Sequence, residues 1–137
     1  MWSRAFILGG ACVALALGGC SLGSSSASNS GFTGEQASVA ATLNTLANDS
    51  SSANGADICK NVFAARVRTR LDKIGKCATI INNQLKTVDD FKLTIKAITV
   101  TGNAATARVQ TVHNGTKVVQ TVSLTREPAG WRILSAA

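Results

Sequence analysis

Four cysteines (Cys12, Cys20, Cys59 and Cys77), one histidine (His113) and seven carboxylates hold most of the chemistry that this 137-residue chain could perform. If all four cysteines were oxidised, three pairings would be open. As metal ligands they lack company, because there is no Cys-x-x-Cys spacing and His113 has no second histidine to join it. His113 precedes Asn114-Gly115, a turn-forming pair, where a solvated loop histidine is expected, and no nucleophile-elbow motif accompanies it. A carboxylate base working in an apolar pocket needs tyrosine or a protonated acid opposite it. Tyrosine is absent. The acids are Glu35, Asp49, Asp57, Asp72, Asp89, Asp90 and Glu127, and nearly all fall at expected caps, turns or exposed positions. Asp57 reads as a helix cap and Asp89-Asp90 as the loop leading into a strand. The sequence therefore predicts no catalytic residue, no metal site and no cofactor.

Cys20 stands in a particular setting. A basic residue, Arg4, precedes a thirteen-residue apolar run from Ala5 to Leu17, then Gly18 and Gly19. Such a run is too short to cross about 30 Å of hydrocarbon as a helix. Leu17-Gly18-Gly19-Cys20 resembles the lipobox of bacterial lipoproteins. That resemblance implies removal of residues 1–19, a diacylglyceryl thioether on Cys20 and, in some bacteria, a further acyl group such as palmitate on its new amine. Two or more acyl chains anchor a protein stably, so the mature chain is expected on the outer face of the membrane. With Cys12 removed and Cys20 lipidated, Cys59 and Cys77 are left to each other. In an oxidising compartment they are expected to pair, closing a loop worth roughly 3 kcal/mol in the chain-entropy treatment.

The remaining thirteen basic residues outnumber the seven acids, a net charge of +6 after residue 19. Residues 20–34, with the run SLGSSSASNSGFTG after Cys20, read as a Ser/Gly tether with an r.m.s. reach of about 20 Å. A single domain follows over 35–137, and the chain shows no solenoid-type repeat. Thr33-Gly34-Glu35-Gln36 fits a capping box, and Val39, Ala40, Leu43, Leu46 and Ala47 then share a helical face that ends near Asn48 to Ser52. A second helix is expected after Asp57, with Phe63, Val67, Leu71 and Ile74 as its apolar stripe, joined by Ile58 and Val62 and stopped by Gly75. A third spans Cys77 to Leu85. From Phe91 the period becomes two. Phe91, Leu93 and Ile95 give way to Ile98 and Val100 in the opposite phase, which predicts a β-bulge near Lys96-Ala97. Turns at Gly102-Asn103, Asn114-Gly115 and Glu127–Gly130 divide the rest into strands. Three helices followed by a four-stranded antiparallel meander make an α+β fold.

The segment from Gly102-Asn103-Ala104-Ala105-Thr106-Ala107 through Val122-Ser123-Leu124-Thr125-Arg126-Glu127 to Gly130-Trp131-Arg132-Ile133 is similar to the NTF2-like superfamily. Within it, the nearest likeness is to small actinobacterial lipoproteins of largely unassigned function. The resemblance implies a cone, with helices packed on a strongly curved sheet that encloses a pocket. It also implies a cysteine near each of Cys59 and Cys77, and a tendency to homodimerise. Some members of that superfamily are isomerases or dehydratases and many only bind or scaffold, so fold does not settle function.

Lys60, Arg66, Arg68, Arg70, Lys73 and Lys76 crowd the second helix and its end. Arg66, Arg70 and Lys73 share a stripe, readable as a solvated face or as a contact for an anionic surface. Nucleic acid is not an expected partner, since the compartment is wrong and aromatics are sparse among the basic residues. Trp131 is expected in the core, with a pocket mouth as its alternative. Thr94, Thr99, Thr101, Thr111, Thr121 and Thr125 suit solvated strand positions. The leading expectation is a non-catalytic, lipid-anchored envelope domain that binds a hydrophobic small ligand or an envelope protein. Its rivals are an enzyme using the cone pocket and an interaction or exclusion factor acting through the basic face.

Overall fold

Alternating apolar side chains build four strands in succession: β1 (Phe91–Thr101), β2 (Ala104–His113), β3 (Thr116–Glu127) and β4 (Gly130–Ala136). The computed structural model describes residues 31–88 and 91–137. Cys12, the Leu17–Cys20 motif, linker residues 21–30, Asp89 and Asp90 lie outside them. The strands pair antiparallel in the order β1-β2-β3-β4. The register slips between Ile95 and Ala97, where the sequence places its phase change, and again between Ser123 and Leu124. Each slip adds local twist and bends the sheet. Gly102 has φ 58, and Asn114 and Gly115 have φ 51 and 78, so both hairpins use the left-handed backbone that tight two-residue turns demand.

The buried face of the sheet carries Leu93, Ile95, Ile98, Ala105, Ala107, Val109, Val122, Leu124, Trp131 and Ile133. Against it lies α1 (Glu35–Ser51), with Val39, Ala40 and Leu43 fully buried. α1 packs on β1 and β4, the two outer strands, so the sheet curls around it. Two side chains clamp it there. Gln36 Nε2 donates to Ile98 O at 3.0 Å, and Thr42 Oγ1 donates to Trp131 O at 3.0 Å. This α+β arrangement, with helices over one face of a bent antiparallel sheet, is compatible with an NTF2-like cone.

The helices depart from the expected three. Gly34, not Thr33, is the N-cap of α1, and its φ of 58 is one that a threonine would adopt only with strain. No capping box forms, because Gln36 is drawn to the sheet and Glu35 turns to other partners. The expected second helix is broken. α2 (Gly55–Asp57) runs into a π-helical segment (Ile58–Val62), and α3 (Ala65–Ile74) begins only after an extended turn at Phe63-Ala64. The sheet causes the break: Ala64 N–H donates to Ile133 O at 2.9 Å, a backbone bond incompatible with a continuing helix. The expected apolar stripe is therefore split. Ile58 and Val62 are buried, Phe63, Val67 and Leu71 only half so, and Ile74 is 77% exposed. Asp57 stands at the N-cap position of the π-helical segment but makes no side-chain capping bond; Asn54 caps α2, its Oδ1 accepting from Asp57 N–H at 3.2 Å. α4 (Cys77–Leu85) keeps the predicted bounds, with Ile81 buried. Cys59, in the π-helical segment, and Cys77, the first residue of α4, are disulfide-bonded with their Cα atoms 6.2 Å apart.

Candidate functional site

Between the C-terminal half of α1 and the curled sheet lies a pocket of about 320 Å³. Leu46 and Ser50 contribute from α1, Phe63 from the helix break, and Phe91 and Leu93 from β1. Val109, Thr111 and His113 recur at every second position of β2, which is why they face the same space. Gln120 and Val122 come from β3, Ile133 and Ala136 from β4. The helix break matters here. An uninterrupted helix would carry Phe63 along its own axis, whereas its bridge to Ile133 sets it at the pocket wall.

The lining is mostly aliphatic and aromatic, with Ser50, Thr111, His113 and Gln120 as its polar members. Thr111 is buried, its hydroxyl donating to Val118 O at 3.5 Å, so it is not the solvated strand threonine the sequence suggests. His113 is exposed but closes β2 rather than lying in a loop, and it reaches the pocket as the lining's one imidazole. The lining contains no carboxylate. Such a surface can desolvate a small apolar ligand and orient it through a few polar groups.

The carboxylates have structural partners elsewhere. Glu35 Oε2 accepts from Trp131 Nε1 at 2.8 Å and pairs with Arg126, whose guanidinium stands 5.1 Å from the centre of the indole ring. Trp131 is 3% exposed and so sits in the core, as expected, while its edge also lines a shallower depression of about 480 Å³ beside Glu35, Arg126 and Pro128. That depression is wider but poorly enclosed, which makes it the weaker ligand site. Glu127 Oε2 accepts from Ala65 N–H at 3.0 Å and Asp72 Oδ1 from Cys77 N–H at 2.9 Å, each at the start of a helix.

Asp49 and Asp57 are the exception to the expected exposed acids. Burial pushes the Asp49 carboxyl up to about 6 from 3.8, and its hydrogen bond to Asp57 and the Asp57 charge push the same way. Asp49 Oδ2 is buried and has no hydrogen-bond partner among the described residues, while Asn61 Nδ2 donates to Asp57 Oδ1 at 2.6 Å. Neither of the pair lines the pocket, although Ser50, which follows Asp49 in the chain, does.

The basic residues stay outside. Lys60, Arg66, Arg70, Lys73 and Lys76 are exposed and Arg68 half-buried, and none has an ion-pair partner among the described residues. No group of three or more metal-ligating side chains comes together among the described residues. No helix among them is long and apolar enough to cross a membrane.

A family model described as "Putative lumazine-binding" matches residues 77–137, which is α4 and the whole sheet, and is of NTF2-like type. It leaves α1 and the helix break unmatched. No curated protein and no solved structure matches the chain.

Proposed function

We propose that this chain is a non-catalytic, ligand-binding domain of NTF2-like type, held by a lipid on Cys20 at the outer face of a bacterial membrane. The pocket of about 320 Å³ carries the ligand-binding part of this reading. Its volume is at the small end for ligand sites, which suits a one- or two-ring molecule. Phe63 and Phe91 offer ring faces, while Thr111, His113 and Gln120 offer hydrogen bonds on one side. The description attached to residues 77–137 makes a lumazine-type bicycle the first ligand to try. Anchoring is supported by the Leu17-Gly18-Gly19-Cys20 pattern and the Ser/Gly tether behind it.

The ligand reading is tested by thermal melting with 6,7-dimethyllumazine. A ligand at about 100 times its dissociation constant adds about 2.7 kcal/mol, which raises the melting temperature of a domain this size by about 10 °C or more. Gln120→Trp, at a half-buried lining position, should fill the pocket and abolish the shift while leaving the protein folded. No shift, together with no small molecule copurifying in native mass spectrometry, would overturn it. For the anchor, intact mass of the membrane fraction should show a diacylglyceryl adduct in the wild type and none in Cys20→Ser. An unmodified wild-type chain would sink that part.

A further inference from the structure

α3 is held firmly at both ends, packs on the core only through Leu71, with Val67 half-buried, and leaves its other face to solvent. At its start, Ala64 N–H donates to Ile133 O at 2.9 Å and Ala65 N–H to Glu127 Oε2 at 3.0 Å. Just past its end, Cys77 N–H donates to Asp72 Oδ1 at 2.9 Å and Cys77 is bonded to Cys59. Between these pins no residue of α3 is buried. A helix usually earns its place by burying an apolar face. This one leaves Ile74 77% exposed, beside a basic face formed by Arg66, Arg70 and Lys73.

The charges are badly placed for the helix itself. Arg66 and Arg70 are spaced i, i+4 and Arg70 and Lys73 i, i+3, so like charges neighbour one another. Arg66 and Arg68 stand in the first turn, where the helix dipole disfavours cations. Between residues 60 and 76 there are six basic residues and one acid, and that acid, Asp72, is engaged by Cys77 N–H. A merely solvated face would be better served by interspersed glutamates. An external anionic surface turns each of these costs into attraction.

We propose that α3 docks on the anionic phospholipid surface of the membrane, with Arg66, Arg70 and Lys73 among the headgroups and Ile74 at the acyl boundary. Amphipathic helices with a basic face bind interfaces in this way. The chain outside the described residues adds to the case. Only ten residues separate Cys20 from Gly31, so a lipid on Cys20 would keep α3 close to the bilayer and raise its effective concentration there. Only this last point rests on the anchor; the charge pattern and the unpacked face stand without it.

The test uses a chain of residues 21–137, which has no Cys20 to carry lipid and keeps every residue of the buried core, Val39 to Ile133. It is sedimented with phosphatidylglycerol-containing vesicles and with pure phosphatidylcholine vesicles, at low and high salt. Binding should be confined to the anionic vesicles and should fall steeply with salt. Arg66→Gln, Arg70→Gln and Lys73→Gln together should weaken it roughly a hundredfold, since each basic residue near such a surface is worth roughly a fivefold factor. Lys96→Gln, Arg108→Gln and Lys117→Gln, exposed on the sheet, should leave it unchanged. The sheet variant should melt with the parent and the α3 variant at or slightly above it, because all six positions are exposed and the α3 changes remove only like-charge repulsion. The proposal is overturned by equal binding to both vesicle types, by no binding, by full retention in the α3 variant, or by capture on a soluble polyphosphate without capture on vesicles. None of these outcomes bears on whether Cys20 is lipidated.

Discussion

Replacing Asp49 by asparagine should stabilise the protein near neutral pH and do nothing for it in acid. In the folded chain the Asp49 carboxyl titrates at about 6, against 3.8 when unperturbed, because it is buried and faces Asp57. The folded state therefore holds this proton more tightly than the unfolded chain does. Its contribution to stability is whole below about 3.8 and is lost as pH rises through about 6. Moving from 3.8 to about 6 is worth at most about 3 kcal/mol, and because the carboxyl is only part-buried, solvent screening leaves about 1–2 kcal/mol to disappear across that window. Above it, the wild type keeps a buried carboxylate beside a second one, with Oδ2 unpartnered among the described residues. Asparagine has the same shape, carries no charge and can donate an N–H to Asp57. The assay is urea unfolding of both proteins across the acid-to-neutral range. Other carboxylates are common to both and cancel in the difference. That difference should be near zero around pH 4 and should reach about 1–2 kcal/mol in favour of Asp49→Asn by pH 7.5. A difference that does not change with pH, or an asparagine variant less stable at pH 7.5, would refute the reasoning.

Two further substitutions probe the helical layer. Cys59→Ser with Cys77→Ser opens a bridge spanning 18 residues, and should lower the unfolding free energy by about 3 kcal/mol; an unchanged denaturation midpoint would count against a formed bond. Gly55→Ala would bring a Cβ to 2.5 Å from Asn82 Oδ1 and 2.9 Å from the Ala78 carbonyl, and would disturb the 2.7 Å bond from Gly55 N–H to Asn82. A cost on the order of 1–3 kcal/mol is expected, read as a lower melting temperature, whereas no change would mean that α2 and α4 part easily.

The sheet is legible in the sequence because its rules are local. Alternation names the inward residues, Asn114-Gly115 and Gly102-Asn103 name the hairpins, and the change of phase after Ile95 names the first bulge. The second slip, between Ser123 and Leu124, leaves no such mark, since β3 keeps its alternation through Val122 and Leu124 and the extra residue is Leu134 of β4. α4 was readable to the residue. The broken helix was not, because no glycine or proline marks it. Its cause is the Ile133 carbonyl, far along the chain, which takes the Ala64 N–H. The capping box failed for the same kind of reason, its Gln36 being claimed by the Ile98 carbonyl. The pocket was visible only as an implication of the NTF2-like resemblance. Its polar members come from α1, β2 and β3, and no spacing along the chain announces that Ser50, Thr111, His113 and Gln120 meet. The basic cluster was plain from composition, but the sequence made it one stripe of a buried amphipathic helix. Only the structure shows that no residue of that helix is fully buried, Leu71 alone packing on the core.

The most direct test of ligand binding in the pocket is amide chemical-shift mapping of the folded chain titrated with 6,7-dimethyllumazine and with any small molecule that copurifies. Shifts should gather at Leu46, Ser50, Thr111, His113 and Gln120, which line the pocket behind Phe63 and Phe91. Shifts confined to the Glu35, Arg126 and Trp131 depression, or none at saturating ligand, would contradict it.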